Sequence, residues 1–285
     1  MRRIVLLAIA PLAFLSAACG TTTSGEPSPH PPPGGAAPDP NLLYEANTIV
    51  LEDGSHGPML CLGGVLESFP PQCGDVPAIG WDWARVDGEE AAGGATWGSY
   101  HVVGKYDGET FVVTEVRPYR EEAALEPDFS SPCDEPPGGW SRFDHATQDD
   151  DGAATQYARA QPDYVTSWVT HLDPPAQERS RVILNVVFTD DAERHETAIR
   201  ELWDGPVCVV ARDVPNAREL GRIRQEAETS LDDLGLQMLW SAGPGVEPII
   251  EIGVVADPAG KGQAAFDKRY GAGVVRVQPA LQPAS

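Results

Sequence analysis

Basic side chains are scarce in this chain of 285 residues. Three lysines and seventeen arginines face 43 acids, and the formal charge is −23. A nucleic-acid binder needs basic patches to neutralise phosphates, so this balance argues against nucleic acid as a partner. It argues equally against a polybasic mode of membrane-surface binding. Long apolar runs are missing too. Beyond Ile4–Leu15 no stretch approaches the roughly 20 residues that a spanning helix needs. No C-x-x-C pair occurs, and the six histidines do not fall at metal-ligand spacings, so no metal site and no cofactor is expected. G-x-S-x-G and H-E-x-x-H are absent, and Gly260-Lys261-Gly262 lacks the upstream glycine and following Ser or Thr of a phosphate loop.

The N-terminus carries the most specific signal. Arg2 and Arg3 precede the apolar stretch, which is followed by the small residues Ser16-Ala17-Ala18 and then Cys19. This is the layout of a secretory signal peptide spanning residues 1–18. The segment Leu15-Ser16-Ala17-Ala18-Cys19 resembles the lipobox of bacterial lipoproteins, with Ser16 where that family usually has leucine. The resemblance implies that the Cys19 thiol takes a diacylglycerol and becomes the first mature residue, acylated and anchored on the extracytoplasmic face of the cell membrane. Ser16 and Ala18 also suit ordinary signal-peptidase cleavage, which would release a soluble protein.

From Gly20 to Pro40 no aliphatic or aromatic side chain is larger than Ala or Pro. Such a segment cannot bury a core, and its prolines make it an extended spacer. Residues 19–40 therefore read as a lipidated cysteine and a disordered tether. Removing the signal takes two arginines and no acid, which leaves 18 bases against 43 acids and a charge of −25. The acidity reads as solubility and stand-off from an anionic leaflet. In anchor, spacer and composition the chain resembles envelope lipoproteins of high-GC Gram-positive bacteria, a likeness that implies no activity.

With Cys19 set aside, Cys61, Cys73, Cys133 and Cys208 remain, an even number in an oxidising compartment. The short Gly- and Pro-containing loop between Cys61 and Cys73 suits a local bridge. Cys133 then pairs with Cys208, linking the middle of the chain to an apolar strand.

The expected fold class is α+β. Residues 41–117 read as a small all-β domain, barrel- or OB-like, because short strands alternate with turns and Asp107-Gly108 marks a hairpin. The run YHVVGKYDGETFVVTE from Tyr100 looks like the strand–turn–strand of OB-like barrels. Residues 118–161 read as a Pro- and Asp-rich connector. Its Asp149-Asp150-Asp151 run invites a calcium reading, but Ala160 stands where an EF-hand needs its closing glutamate, so a solvated loop is expected. Residues 162–280 read as a ferredoxin-like α/β sandwich, from the order β-α-β-β-α-β after Val207 with an extra β-α unit in front. In that region Glu193, His195 and Glu196 read as a solvated helix face.

Trp81, Trp83 and Trp97, with Tyr100 and Tyr106, are the candidate ligand-binding residues. Trp81 and Trp83 share one face if they lie on a strand, and exposed indoles stack on sugar rings. The competing expectation is that a domain this small needs these rings for its core. No nucleophile stands beside a base, so no catalytic residue is named. The sequence is thus read as a non-catalytic cell-envelope binding or assembly module, with an envelope protein or a glycan as partner. An extracytoplasmic hydrolase of a cell-wall substrate is the alternative.

Overall fold

The computed structural model describes residues 42–120, 127–140, 152–172 and 181–284. The signal segment, Cys19, the tether and the Asp149–Asp151 run lie outside the described residues. The protein is mixed α/β with more strand than helix, and its described strands form three sheets.

The first sheet closes on itself. It contains β1 (Tyr44–Glu52), β2 (Met59–Cys61), β3 (Val76–Ile79), β4 (Glu90–Ala92), β5 (Ala95–Tyr106) and β6 (Phe111–Pro118). β1, β2 and β3 run antiparallel in sequence, β3 pairs in parallel with β6, β6 pairs with β5, and β5 returns to β1 along all nine residues of that strand. β4 extends the start of β5. Alternation explains the interior, because Tyr44, Ala46 and Val50 of β1 are buried with Leu60, Val76, Tyr100, Val102 and Phe111. The small circumference demands one close approach. A Cβ on Gly104 would lie 2.3 Å from the Val112 carbonyl oxygen and 2.5 Å from the Phe111 ring. The β5–β6 ladder shifts register at that glycine, as a bulge in a tightly coiled strand does.

The rest of the chain is built from two units of the same design. The first runs α1 (Gly152–Ala160), β7 (Tyr164–His171), β8 (Val182–Phe188), α2 (Ala192–Arg200) and β9 (Val207–Ala211). The second runs α3 (Ala217–Leu234), β10 (Met238–Ala242), β11 (Ile250–Val254), α4 (Lys261–Tyr270) and β12 (Val275–Pro279). In each, a hairpin is followed by a parallel crossover through a helix, which gives the sheets β7-β8-β9 and β10-β11-β12. Both hairpins bulge after the first residue of their first strand. The closing hydrogen bonds also match. Thr189 N–H donates to Asp163 O at 2.8 Å and Val255 N–H to Gln237 O at 2.9 Å, while Arg212 and Ala280 each donate to the last residue of the central strand at 2.9 Å.

This pairing corrects the ferredoxin-like expectation. β9 belongs with β7 and β8, so the four-stranded sheet read from the element order does not form. The run Val182–Phe188 is buried at every residue, as a strand covered on both faces must be, and it takes a neighbour on each edge. β9 supplies the second edge. Gly152–Ala160, read as connector, is a helix.

α1 and α2 cover one face of the first of these sheets, where Ala154, Ala158, Leu184, Val186, Ile199 and Trp203 pack together. Its other face, through Val165, Trp168 and Val187, shares a core with Leu220, Ile223 and Leu231 of α3 and Ile250 and Ile252 of β11. Beyond β11, Val255, Ala256 and Leu281 join the barrel core. The short strand β13 (Gln282–Pro283) pairs with Tyr44 and Glu45 at the start of β1.

Both expected disulfides are present. Cys61–Cys73 closes a loop between β2 and β3, and Cys133–Cys208 ties the segment before α1 to β9. That segment runs along β7, where Thr170 Oγ1 donates to Phe129 O at 2.6 Å and Trp168 Nε1 to Ser130 O at 3.3 Å.

Candidate ligand-binding cleft

Trp81 and Trp83 do not lie on a strand. β3 ends at Ile79, Gly80 takes φ +84° to turn the chain, and Trp83–Arg85 form a 3₁₀ turn. The Asp82 carboxylate accepts from Ala84 N–H at 3.0 Å and caps that turn. The two indoles are nonetheless brought together. Their centroids are 5.3 Å apart in an edge-to-face contact, and Trp81 meets Tyr100 edge-to-face at 4.9 Å. Trp83 Nε1 donates to Glu52 Oε2 at 2.6 Å. Trp97 stands apart. It is 8% exposed, packs with Leu51, Cys61 and Ala95, and meets Phe69 edge-to-face at 5.8 Å.

A cleft of about 270 Å³ opens beside Trp81. One wall is Gly80, Trp81, Asp82, Arg85 and Val86, and the other is the Val113–Val116 stretch of β6. Trp81 is half-buried here, and its Nε1 is buried with no hydrogen-bond partner. The Tyr100 hydroxyl is also buried without a partner, above a glycine: a Cβ on Gly98 would lie 2.6 Å from it. Burial first, and then the Glu89 and Asp87 carboxylates, push the Tyr100 phenol above its ordinary range, so it remains a neutral hydroxyl at physiological pH. On the far wall the Glu115 carboxylate is held bidentately by Arg117, at 2.7 and 2.8 Å, which lowers its pKa. The cleft thus offers an indole and charged groups of both signs.

A second depression lies between α3 and α4. There Glu226 binds both Arg222 at 2.5 Å and Arg269 at 3.1 Å.

His195 departs from expectation. It is 0% exposed, lies flat on Phe188 with ring centroids 3.7 Å apart, and joins three elements. Its Nε2 is 2.8 Å from Asp163 Oδ2, and its Nδ1 is 3.1 Å from the Tyr157 hydroxyl. The Asp163 carboxylate only accepts and calls for a proton on Nε2, whereas the Arg194 guanidinium, 2.9 Å from the same nitrogen, only donates and calls for a lone pair there, so the ring's tautomer follows which of the two it bonds. Arg194 is held in turn by Asp191 at 2.7 Å. The burial of His195 was legible: His195 and Ile199 are four apart and share the buried face of α2. Its partners Tyr157 and Asp163 lie too far along the chain for spacing to reveal.

Among the described residues, no three His, Cys, Asp or Glu side chains are grouped to hold a metal ion, and no helix is long and apolar enough to cross a membrane. Comparison of the chain with family models, with curated proteins and with solved structures finds no match.

Proposed function

We propose that the protein is an extracytoplasmic lipoprotein, anchored through Cys19, whose barrel takes a glycan of the cell envelope in the cleft beside Trp81. One observation carries the reading: a half-buried indole lines the cleft beside charged groups of both signs. A sugar offers an apolar ring face for the indole and hydroxyls for the charged groups. The strand order of the closed sheet favours the OB-like reading, and barrels of that kind bind oligosaccharides. The four cysteines left after Cys19 are all bridged, which suits an exported chain.

Titrating the purified mature protein with solubilised wall polysaccharide and muropeptides, followed by tryptophan fluorescence and calorimetry, tests the proposal. Trp81→Phe keeps an aromatic ring and shrinks the face on which a sugar stacks. It should weaken binding about tenfold while the protein still melts as a folded body. Equal affinity of the two proteins defeats the glycan reading. Cys19→Ser should move the protein from the membrane fraction to the medium, and unchanged retention defeats the anchor.

The hydrolase alternative rests on the Tyr157–His195–Asp163 chain, whose hydroxyl, imidazole and carboxylate follow the order that activates a nucleophile. Turnover of a wall substrate that Tyr157→Phe abolishes would establish it instead.

A further inference from the structure

The loop between β2 and β3 holds the two most exposed large hydrophobic side chains of the described residues. Phe69 is 80% exposed and Leu66 is 65% exposed. A flexible loop would fold such side chains back onto the body. Here the backbone is pinned so that they cannot. Cys61–Cys73 closes the loop at its base. Leu66 N–H donates to Gln72 O at 3.0 Å, Gly64 N–H to Cys61 O at 3.2 Å, and Gly63 N–H to Asp75 Oδ2 at 2.7 Å. Pro70 abuts Gly93, where a Cβ would come within 3.2 Å of it, and the Phe69 ring stands edge-on against Trp97. The apolar tip is therefore ordered before any partner arrives, which removes most of the entropy cost of docking it.

The charge around the tip narrows the partner. Glu67 is exposed between Leu66 and Phe69, and Glu90 lies cross-strand from Trp97, on whose ring Phe69 rests. Residues 41–100 contain nine acids and a single base, Arg85. An anionic lipid surface is repelled by that field, and so is a second copy of a chain of formal charge −23.

We propose that Leu66 and Phe69 form a preorganised plug for another envelope protein, one that presents an apolar socket rimmed by lysine or arginine. This goes beyond the cleft reading and shares no residue with it, but rests on the extracytoplasmic placement proposed above. Acids around an aromatic anchor speed encounter with a basic rim, while the anchor sets the lifetime of the complex.

Photo-crosslinking in cells from a benzoylphenylalanine at position 69 of the full-length protein tests the plug, with the same probe at exposed Leu202 as control. A protein adduct specific to position 69 is expected. That protein, purified, should bind wild type and lose at least about tenfold in affinity with Phe69→Ala and with Leu66→Ser. Glu67→Lys should slow association and flatten its salt dependence. Melting temperature and the glycan affinity of the cleft should be unchanged in all three variants. Adducts only to lipid or to the chain itself, no adduct, binding to phosphatidylglycerol vesicles through the tip, or a partner indifferent to both truncations would each overturn the proposal.

Discussion

Tyr106 shows how much one side chain can join. Its ring meets Tyr44 edge-to-face at 6.4 Å inside the barrel, and its hydroxyl donates to Gly108 O at 2.8 Å, with Gln237 Oε1 at 3.4 Å. Burial, reinforced by the carboxylates of Asp107 and Glu109, pushes its phenol up from an ordinary value near 10 to about 12. The folded state therefore holds this proton more tightly than the unfolded chain does. Its stabilising contribution is complete below pH 10 and is lost as pH rises from about 10 through 12, at a cost of roughly 2–3 kcal/mol. Urea melts at stepped alkaline pH, with tyrosinate absorbance alongside, should show that fall. Tyr106→Phe should remove it while costing only about 0.5–1.5 kcal/mol at neutral pH. Spacing alone marked Tyr106 as part of an aromatic set. The approach to Gln237 was not legible, because it depends on which turn of the second repeated unit meets the barrel.

Strands and helices were legible where a single periodicity ruled them. The hairpin at Asp107-Gly108 stands where its turn signal places it, and β8, buried at every residue, and α3, capped by Asn216 and stopped by Gly235, obey the same local rules. Period two failed at Trp81-Asp82-Trp83 because the positive φ of Gly80 turns the chain before the alternation can act. α1 escaped notice because its sequence, GAATQYARA, offers only two buried alanines as an inner face. The disulfides act on elements rather than single residues. Cys61–Cys73, at a separation of 12, stabilises by about 3 kcal/mol in the chain-entropy account, and Cys133–Cys208, at a separation of 75, by about 4–5 kcal/mol. Replacing both cysteines of the second pair with serine should lower stability by the larger amount in denaturant melts. It should also raise hydrogen exchange in residues 127–133, which would keep only their contacts to β7. Equal losses from removing either pair would contradict the loop-length argument.

At the scale of the whole molecule, the order of elements was legible and their grouping was not. The string β-β-α-β-α-β-β-α-β divides in more than one way, and only hydrogen bonding decides that β9 closes the first unit. α3 then packs against both units, with Ile223 in the core they share. Ile223→Ala should cost about 2–5 kcal/mol and shift one common transition, seen alike by circular dichroism and tryptophan fluorescence. Two separated transitions would mean that the units melt independently. The return of β13 to β1 has a consequence of another kind. Ala284 N–H bonds to Leu43 O at 2.8 Å, so the two ends of the described body are hydrogen-bonded neighbours. A short linker could splice them, and the chain could be opened afresh at the Asp107-Gly108 turn. Such a circular permutant would begin on a different strand and keep the same contacts.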